Sequence, residues 1–111
     1  MGTLMTKTTL VAMALAASTL SVSAADMEAG KKKATEVCAM CHGPEGNKPI
    51  TPDTPILAGQ HYEYLVAALN QYKKGQRQNP MMAPMVQPLS KADIQNLALY
   101  FSKQSGLRVK Y

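Results

Sequence analysis

The chain has 111 residues, twelve basic side chains against seven acidic ones, and a formal net charge of +5. That length allows one domain and leaves little room for a second. One Phe, five Tyr and no Trp are few large side chains for a core, and a chain this small commonly leans on a disulfide, a metal or another staple. The positive balance favours acidic partner surfaces. The lysine runs at Lys31 to Lys33 and at Lys73 and Lys74 lie in helical contexts without interleaved aromatics, so they read as solvated helix faces and nucleic acid is set aside.

The first segment, "TLVAMALAASTLSVSAA", follows Lys7, is rich in small and apolar residues, and carries no charge until Asp26. That is the profile of a secretory signal peptide over residues 1–24, with cleavage after Ala24 or Ala25 and with Met1 or Met5 as the start. Its apolar part, Leu10 to Ala17, is too short for a hydrocarbon core of about 30 Å, so the processed chain is expected not to span a membrane. Export predicts an oxidising compartment, the periplasm, and a single domain over residues 25–111.

Three helices follow in order. The first runs from about Met27 to Met40, with Ala29, Ala34, Val37 and Met40 as a weak apolar stripe. The second runs from near Gln60 to about Lys74, where Tyr62, Leu65, Val66, Leu69 and Tyr72 recur at helical spacing before Gly75 stops it. The third opens on "SKAD", in which Ser90 and Asp93 form a variant of the capping box, and buries Ile94, Leu97, Ala98 and Phe101. All seven prolines fall in the two connecting stretches, "GPEGNKPITPDTPILAG" and "GQRQNPMMAPMVQP". Prolines this dense would strip a sheet of its donors, so the domain reads as all-α with two proline-rich loops.

The first helix ends in "CAMCHGPEG", which holds the only two cysteines of the chain. Cys-x-x-Cys followed directly by His is the signal for covalent attachment of a c-type haem. Two thiols on one helical turn reach the two vinyl groups of one haem edge, and the next residue projects an imidazole to the iron. Cys38 and Cys41 are thus candidates for thioether bonds and His42 for the proximal axial ligand. A thioredoxin-type pair would want a strand before the motif and a helix after it, the reverse of the order here. Structural zinc needs four ligands, and beyond the motif only His61 or a carboxylate is available. A disulfide would close only a tiny loop and add little stability. Opposite His42, a thioether from Met81, Met82 or Met85 would raise the reduction potential; His61 competes, although its place beside Tyr62 suits a surface or capping residue, and methionines also serve as core gap-fillers.

Taken together, "CAMCHGPEGN", "PILAGQHYEYL", "LNQYKKGQR", "NPMMAPM" and "LSKADIQNLALYFS" resemble the class I c-type cytochromes, in particular small periplasmic mono-haem proteins whose domain also occurs doubled in di-haem cytochromes. The likeness covers about Gly30 to Ser102 and implies a cytochrome c fold around one covalent haem c. In the family the axial methionine lies seven residues before the leucine that precedes the capping serine; counting from Leu89, the resemblance selects Met82. It also implies that the Pro55 carbonyl faces the His42 ring, that Arg77 faces a haem propionate with Gln60 and Tyr64 as weaker neighbours, and that Gly30 lets the first helix cross the last near Leu97 and Tyr100. One departure stands out: residues 47–54 hold no aromatic that would shield the haem. The expected function is a one-electron carrier, not an enzyme, docking acidic redox partners through lysines such as Lys48, Lys73 and Lys74. Its rivals are a haem c subunit of a larger redox enzyme, for instance one acting on sulfur compounds or a terminal oxidase, and a copper-handling protein using "MMAPM".

Overall fold

The computed structural model describes residues 2–4, 8–18 and 24–108. Met1, Met5, Lys7 and the Val22–Ser23 side of the processing site lie outside the described residues, as do the last three residues of the predicted 25–111 domain. Residues 8–18 adopt no regular secondary structure and leave Leu10, Val11, Met13 and Leu15 exposed. No helix among the described residues is long and apolar enough to cross a membrane.

Helix α1 (Met27–Lys33) starts where Asp26 caps it, its Oδ1 accepting the N–H groups of Glu28 and Ala29 at 2.9 and 3.2 Å. Through Ala34–Cys38 the chain winds into a π-turn, closed by the Ala39 N–H on the Ala34 carbonyl, and then returns to α-helix as α2 (Ala39–His42). The wider turn changes which residues face inward. Gly30 and Ala34 are buried and Cys38 is half-buried, whereas Ala29 and Met40 of the predicted stripe are exposed, Met40 by 85%. Helical periodicity assumes a constant 3.6 residues per turn, and one π-turn breaks that assumption.

Helix α3 (Tyr62–Lys73) buries Leu65 and Ala68, half-buries Tyr62, Val66, Leu69 and Tyr72, and ends before Gly75, whose φ is +73°. Helix α5 (Lys91–Ser102) carries the predicted capping box: the Ser90 hydroxyl accepts the Asp93 N–H and the Asp93 carboxylate accepts the Ser90 N–H, each at 3.0 Å. Its inner face is the centre of the core, with Ile94, Leu97, Ala98, Tyr100 and Phe101 buried against Ala34, Leu65, Val86 and Leu89. Each of the larger side chains contributes roughly 1.5–3 kcal/mol by leaving water. Helix α5 packs against both α1 and α3, and α3 against the short helix α4 (Met82–Val86).

Helix α4 corrects the expectation of a loop throughout residues 75–88. Its five residues are too few to show helical periodicity, and Pro84 lies inside it. What starts it is Asn79: its Oδ1 accepts the N–H groups of Met81 and Met82, and its carbonyl accepts that of Ala83. No strand occurs among the described residues.

Gly30 and Gly46 are among the glycines that permit close approach. A Cβ on Gly30 would sit 2.1 Å from the Asn96 carbonyl oxygen and 2.9 Å from Tyr100 Cβ. The crossing with α5 predicted for Gly30 therefore exists, centred on Asn96 and Tyr100. Gly46 combines φ +75° with a Cβ position 2.7 Å from the Phe101 ring, so a side chain there would lift the loop after the motif off the end of the core.

Candidate functional site

The cysteine motif ends a helical stretch that the buried Gly30 and Ala34 anchor to the core. Cys38 and Cys41 are not disulfide-bonded. Cys38 packs half-buried against the core cluster, and burial pushes its thiol up to about 11, so it stays protonated at neutral pH. His42 is the only buried polar side chain among the described residues, 5% exposed. Its Nδ1 lies 2.8 Å from the Pro55 carbonyl oxygen. A carbonyl can only accept, so Nδ1 carries the proton and Nε2 keeps its lone pair, the arrangement a metal-ligating histidine needs.

The backbone around the ring is pinned as well. Gly43, at φ +85°, ends α2; the Lys48 N–H donates to the His42 carbonyl at 3.2 Å and the Ile50 N–H to that of Cys41 at 3.0 Å. Lys48 is exposed at this edge of the site. Lys73, by contrast, points its ammonium at the Leu89 carbonyl, and with Lys74 and Lys91 it lines a groove between α3 and α5.

The three candidate thioethers differ in setting. Met82 is half-buried and packs against the same core cluster as Cys38, together with Leu57, Tyr62, Val66 and Leu69. Met81 is 71% exposed and Met85 43%. His61 precedes α3 as its N-cap residue, its own N–H donating to the Gln60 side chain at 2.9 Å. Among the described residues Arg77 forms no ion pair: its Nη2 donates to the Tyr64 hydroxyl at 3.3 Å, and the guanidinium lies over the Tyr64 and Tyr72 rings at 5.8 and 5.5 Å. The Tyr64 hydrogen bond raises its pKa further, so its charge is permanent.

These residues fit a covalent haem. Two unpaired thiols and a tautomer-fixed imidazole lie on one turn, a half-buried thioether packs against the same core cluster as Cys38, and the sequence neighbours Ile56, Leu57, Ala83 and Pro84 are apolar. Among the described residues no group of three or more His, Cys, Asp or Glu is arranged to hold a metal ion directly. Not foreseen from the sequence were the Asn79 cap, the bond from the Tyr100 hydroxyl to the Pro44 carbonyl at 3.0 Å, and that from the Asp26 N–H to Asn96 Oδ1 at 2.7 Å. Of these only Asn79 left a signal, Asn followed by Pro being a helix-start pattern.

An all-helical domain built around a Cys-x-x-Cys-His turn is the arrangement of a protein that attaches haem covalently, and residues 27–105 match the Cytochrome c family. The chain belongs to that family, and its single motif corresponds to one covalently bound haem c. It is 46% identical over 79 residues to cytochrome c4 of Thiocapsa roseopersicina, covering 71% of this chain and 40% of that protein. Cytochrome c-554(548) of Halomonas halodenitrificans is 39% identical over 84 residues, 73% of this chain and 99% of the relative. The crystal structure of reduced recombinant cytochrome c4 from Pseudomonas stutzeri superimposes with a TM-score of 0.69 at 40% identity, covering 76% of this chain and 48% of that one. The chain thus spans less than half of both cytochromes c4, in keeping with the predicted likeness to one half of a doubled protein.

Proposed function

We propose that the chain is a one-electron carrier of the periplasm, with haem c attached through Cys38 and Cys41 and its iron held between His42 and Met82. Haem c, when bound, supplies an iron that gains and loses a single electron. The protein's part would be to hold it: Cys38 and Cys41 would tether it, His42 would ligate through Nε2 with its ring fixed by Pro55, Met82 would supply a thioether, and Arg77 would offer a permanent charge to a propionate. With His42 and Met82 both given to holding the group, the chain would serve as a carrier and not as an enzyme. The leader over residues 1–24, removed after Ala24 or Ala25, takes it to the periplasm. The observation that carries this reading is the buried His42 ring held 2.8 Å from the Pro55 carbonyl, directly after the cysteine pair.

The test is spectroscopic. A pyridine haemochrome of the exported protein should report one covalent haem, and copper in its place would favour the copper-handling rival. Met82→Ala should abolish the far-red methionine-to-iron band and lower the reduction potential, whereas Met81→Ala and Met85→Ala should keep both. A band that survives Met82→Ala refutes the assignment.

Partners are redox proteins with acidic docking surfaces, met through lysines such as Lys48 at the motif loop. The second-order rate with such a partner should fall steeply as the Debye length shrinks from about 30 Å at 0.01 M to about 8 Å at 0.15 M salt. Lys48→Gln should flatten that dependence, and a rate indifferent to salt would remove the acidic partner. Elution of the native protein near its own mass would separate a free carrier from a subunit of a larger redox enzyme.

A further inference from the structure

Helix α4 is too short to hold its own shape, yet it carries Met82. Five residues close few intrahelical bonds, and Pro84 removes one more donor from within. At its C-terminal end, Val86 and Leu89 are buried at 1% and 4% exposure and anchor the segment to the core. At the N-terminal end, besides the half-buried packing of Met82 itself, the polar anchor is one exposed residue, Asn79. Asn79 Oδ1 accepts the Met81 N–H at 2.9 Å and the Met82 N–H at 3.1 Å, while its carbonyl takes the Ala83 N–H at 2.9 Å. Pro80 follows it, with φ preset for a first helical turn and no N–H to leave unpaired. Asn79 is therefore the true N-cap, and one of its two bonds falls on the backbone amide of the residue read as the axial ligand. Removing the cap frees that amide and its neighbour and lets the turn fray at the thioether.

Resting on the His42 and Met82 ligation proposed above, we infer that Asn79 is a positioning residue for Met82, and that its cap sets how readily the thioether yields its place on the iron to another ligand. The effect of losing an N-cap corresponds to about a five-fold change in an equilibrium constant. In the haem-loaded protein, Asn79→Ala should bind imidazole about five-fold more tightly, with the far-red methionine band lost at correspondingly lower imidazole. Asn79→Ser, which keeps an oxygen acceptor, should stay within two-fold of the parent in both readouts. A merely structural cap would lower the melting temperature in Asn79→Ala without moving imidazole affinity or the band, and that result overturns the inference. So does equal weakening in Asn79→Ala and Asn79→Ser. If the parent itself lacked the methionine band, the ligand assignment and this inference would fall together, whereas a parent band unmoved by Asn79→Ala removes the inference alone.

Discussion

Adding one carbon at Gly30 tests whether the helix crossing at the base of the motif is as close as it reads. In Gly30→Ala the new Cβ meets the Asn96 carbonyl oxygen at 2.1 Å and its carbon at 2.7 Å, with Tyr100 Cβ at 2.9 Å. Ordinary contact begins near 3.4 Å, so α1 and α5 must part by more than an ångström. Two of the three obstructing atoms are backbone within a regular helix and cannot rotate away. Overpacking of this severity costs roughly 3 kcal/mol. The bond from the Asp26 N–H to Asn96 Oδ1, on the same crossing, adds roughly 1 kcal/mol if the helices part. Against this, Ala is the better helix former by about 1 kcal/mol. The net destabilisation is about 3 kcal/mol, which for a domain of this size corresponds to a melting temperature about 12–24 °C lower. Thermal melts of the haem-loaded protein followed in the far ultraviolet would measure it. Because α1 runs through the π-turn into Cys38, a reduced haem-to-protein ratio should accompany the loss. A variant that melts at or above the parent would mean that helix propensity outweighs contact here, and the close crossing would be refuted.

Two further substitutions probe the bonds that tie loops and caps to α5. Tyr100→Phe deletes the hydroxyl that donates to the Pro44 carbonyl and should cost about 1 kcal/mol in denaturant unfolding. Burial raises the Tyr100 phenol above 10.0, so its contribution is complete below the unfolded value and is lost as pH rises through the folded one; the variant should lack that alkaline decline. Asp93→Ala removes half of the capping box and should cost about 0.5–1 kcal/mol at neutral pH. The Ser90 N–H holds the Asp93 pKa below 3.8, so this contribution is present above that value and vanishes as pH falls through the folded one. Parent and variant should then converge in acid, and a gap that persists there would contradict the sign.

Helices α3 and α5 were legible because their apolar residues repeat with the true helical period over three turns and their ends carry recognisable signals, Gly75 for one and Ser90 with Asp93 for the other. The first helix was legible as a helix but not as a face, since the π-turn at Ala34–Cys38 moves Met40 outward. Helix α4 escaped because its start lies in a side chain bonding two and three residues onward, a local pattern that hydrophobic spacing does not register. At the site, the cysteine motif carries its chemistry in consecutive residues and can be read directly. Met82 and Pro55 cannot be reached that way, as each is one of several like residues and only the resemblance singled them out. The setting of Arg77 was invisible, because Tyr64 and Tyr72 share a helix face that meets it only when the chain turns back after Gly75.

The stretch between His42 and Tyr62 looks like a linker by composition but is built as part of the site. Both of its ends are tied by backbone bonds: Lys48 and Ile50 donate to His42 and Cys41 at one end, and Gly59 donates to Phe101 at the other. Leu57 and Ala58 both donate to the Gly46 carbonyl, and Leu107 donates to Ala58, so the loop is stitched to itself and to the segment after α5. Between those ties stand Pro49, Pro52 and Pro55, which need no donors satisfied and restrict the unfolded chain as well as the folded one. The result is a carbonyl delivered to His42 by a stiffened loop, where a side chain would bring rotamers of its own. Substituting Pro55 would leave its carbonyl in place and test only that stiffness. The His42 orientation is therefore better challenged through the loop's ties than through the atom that touches the ring, and Gly46, whose carbonyl accepts two of them and whose bare Cα makes room for Phe101, is the residue at which to challenge it.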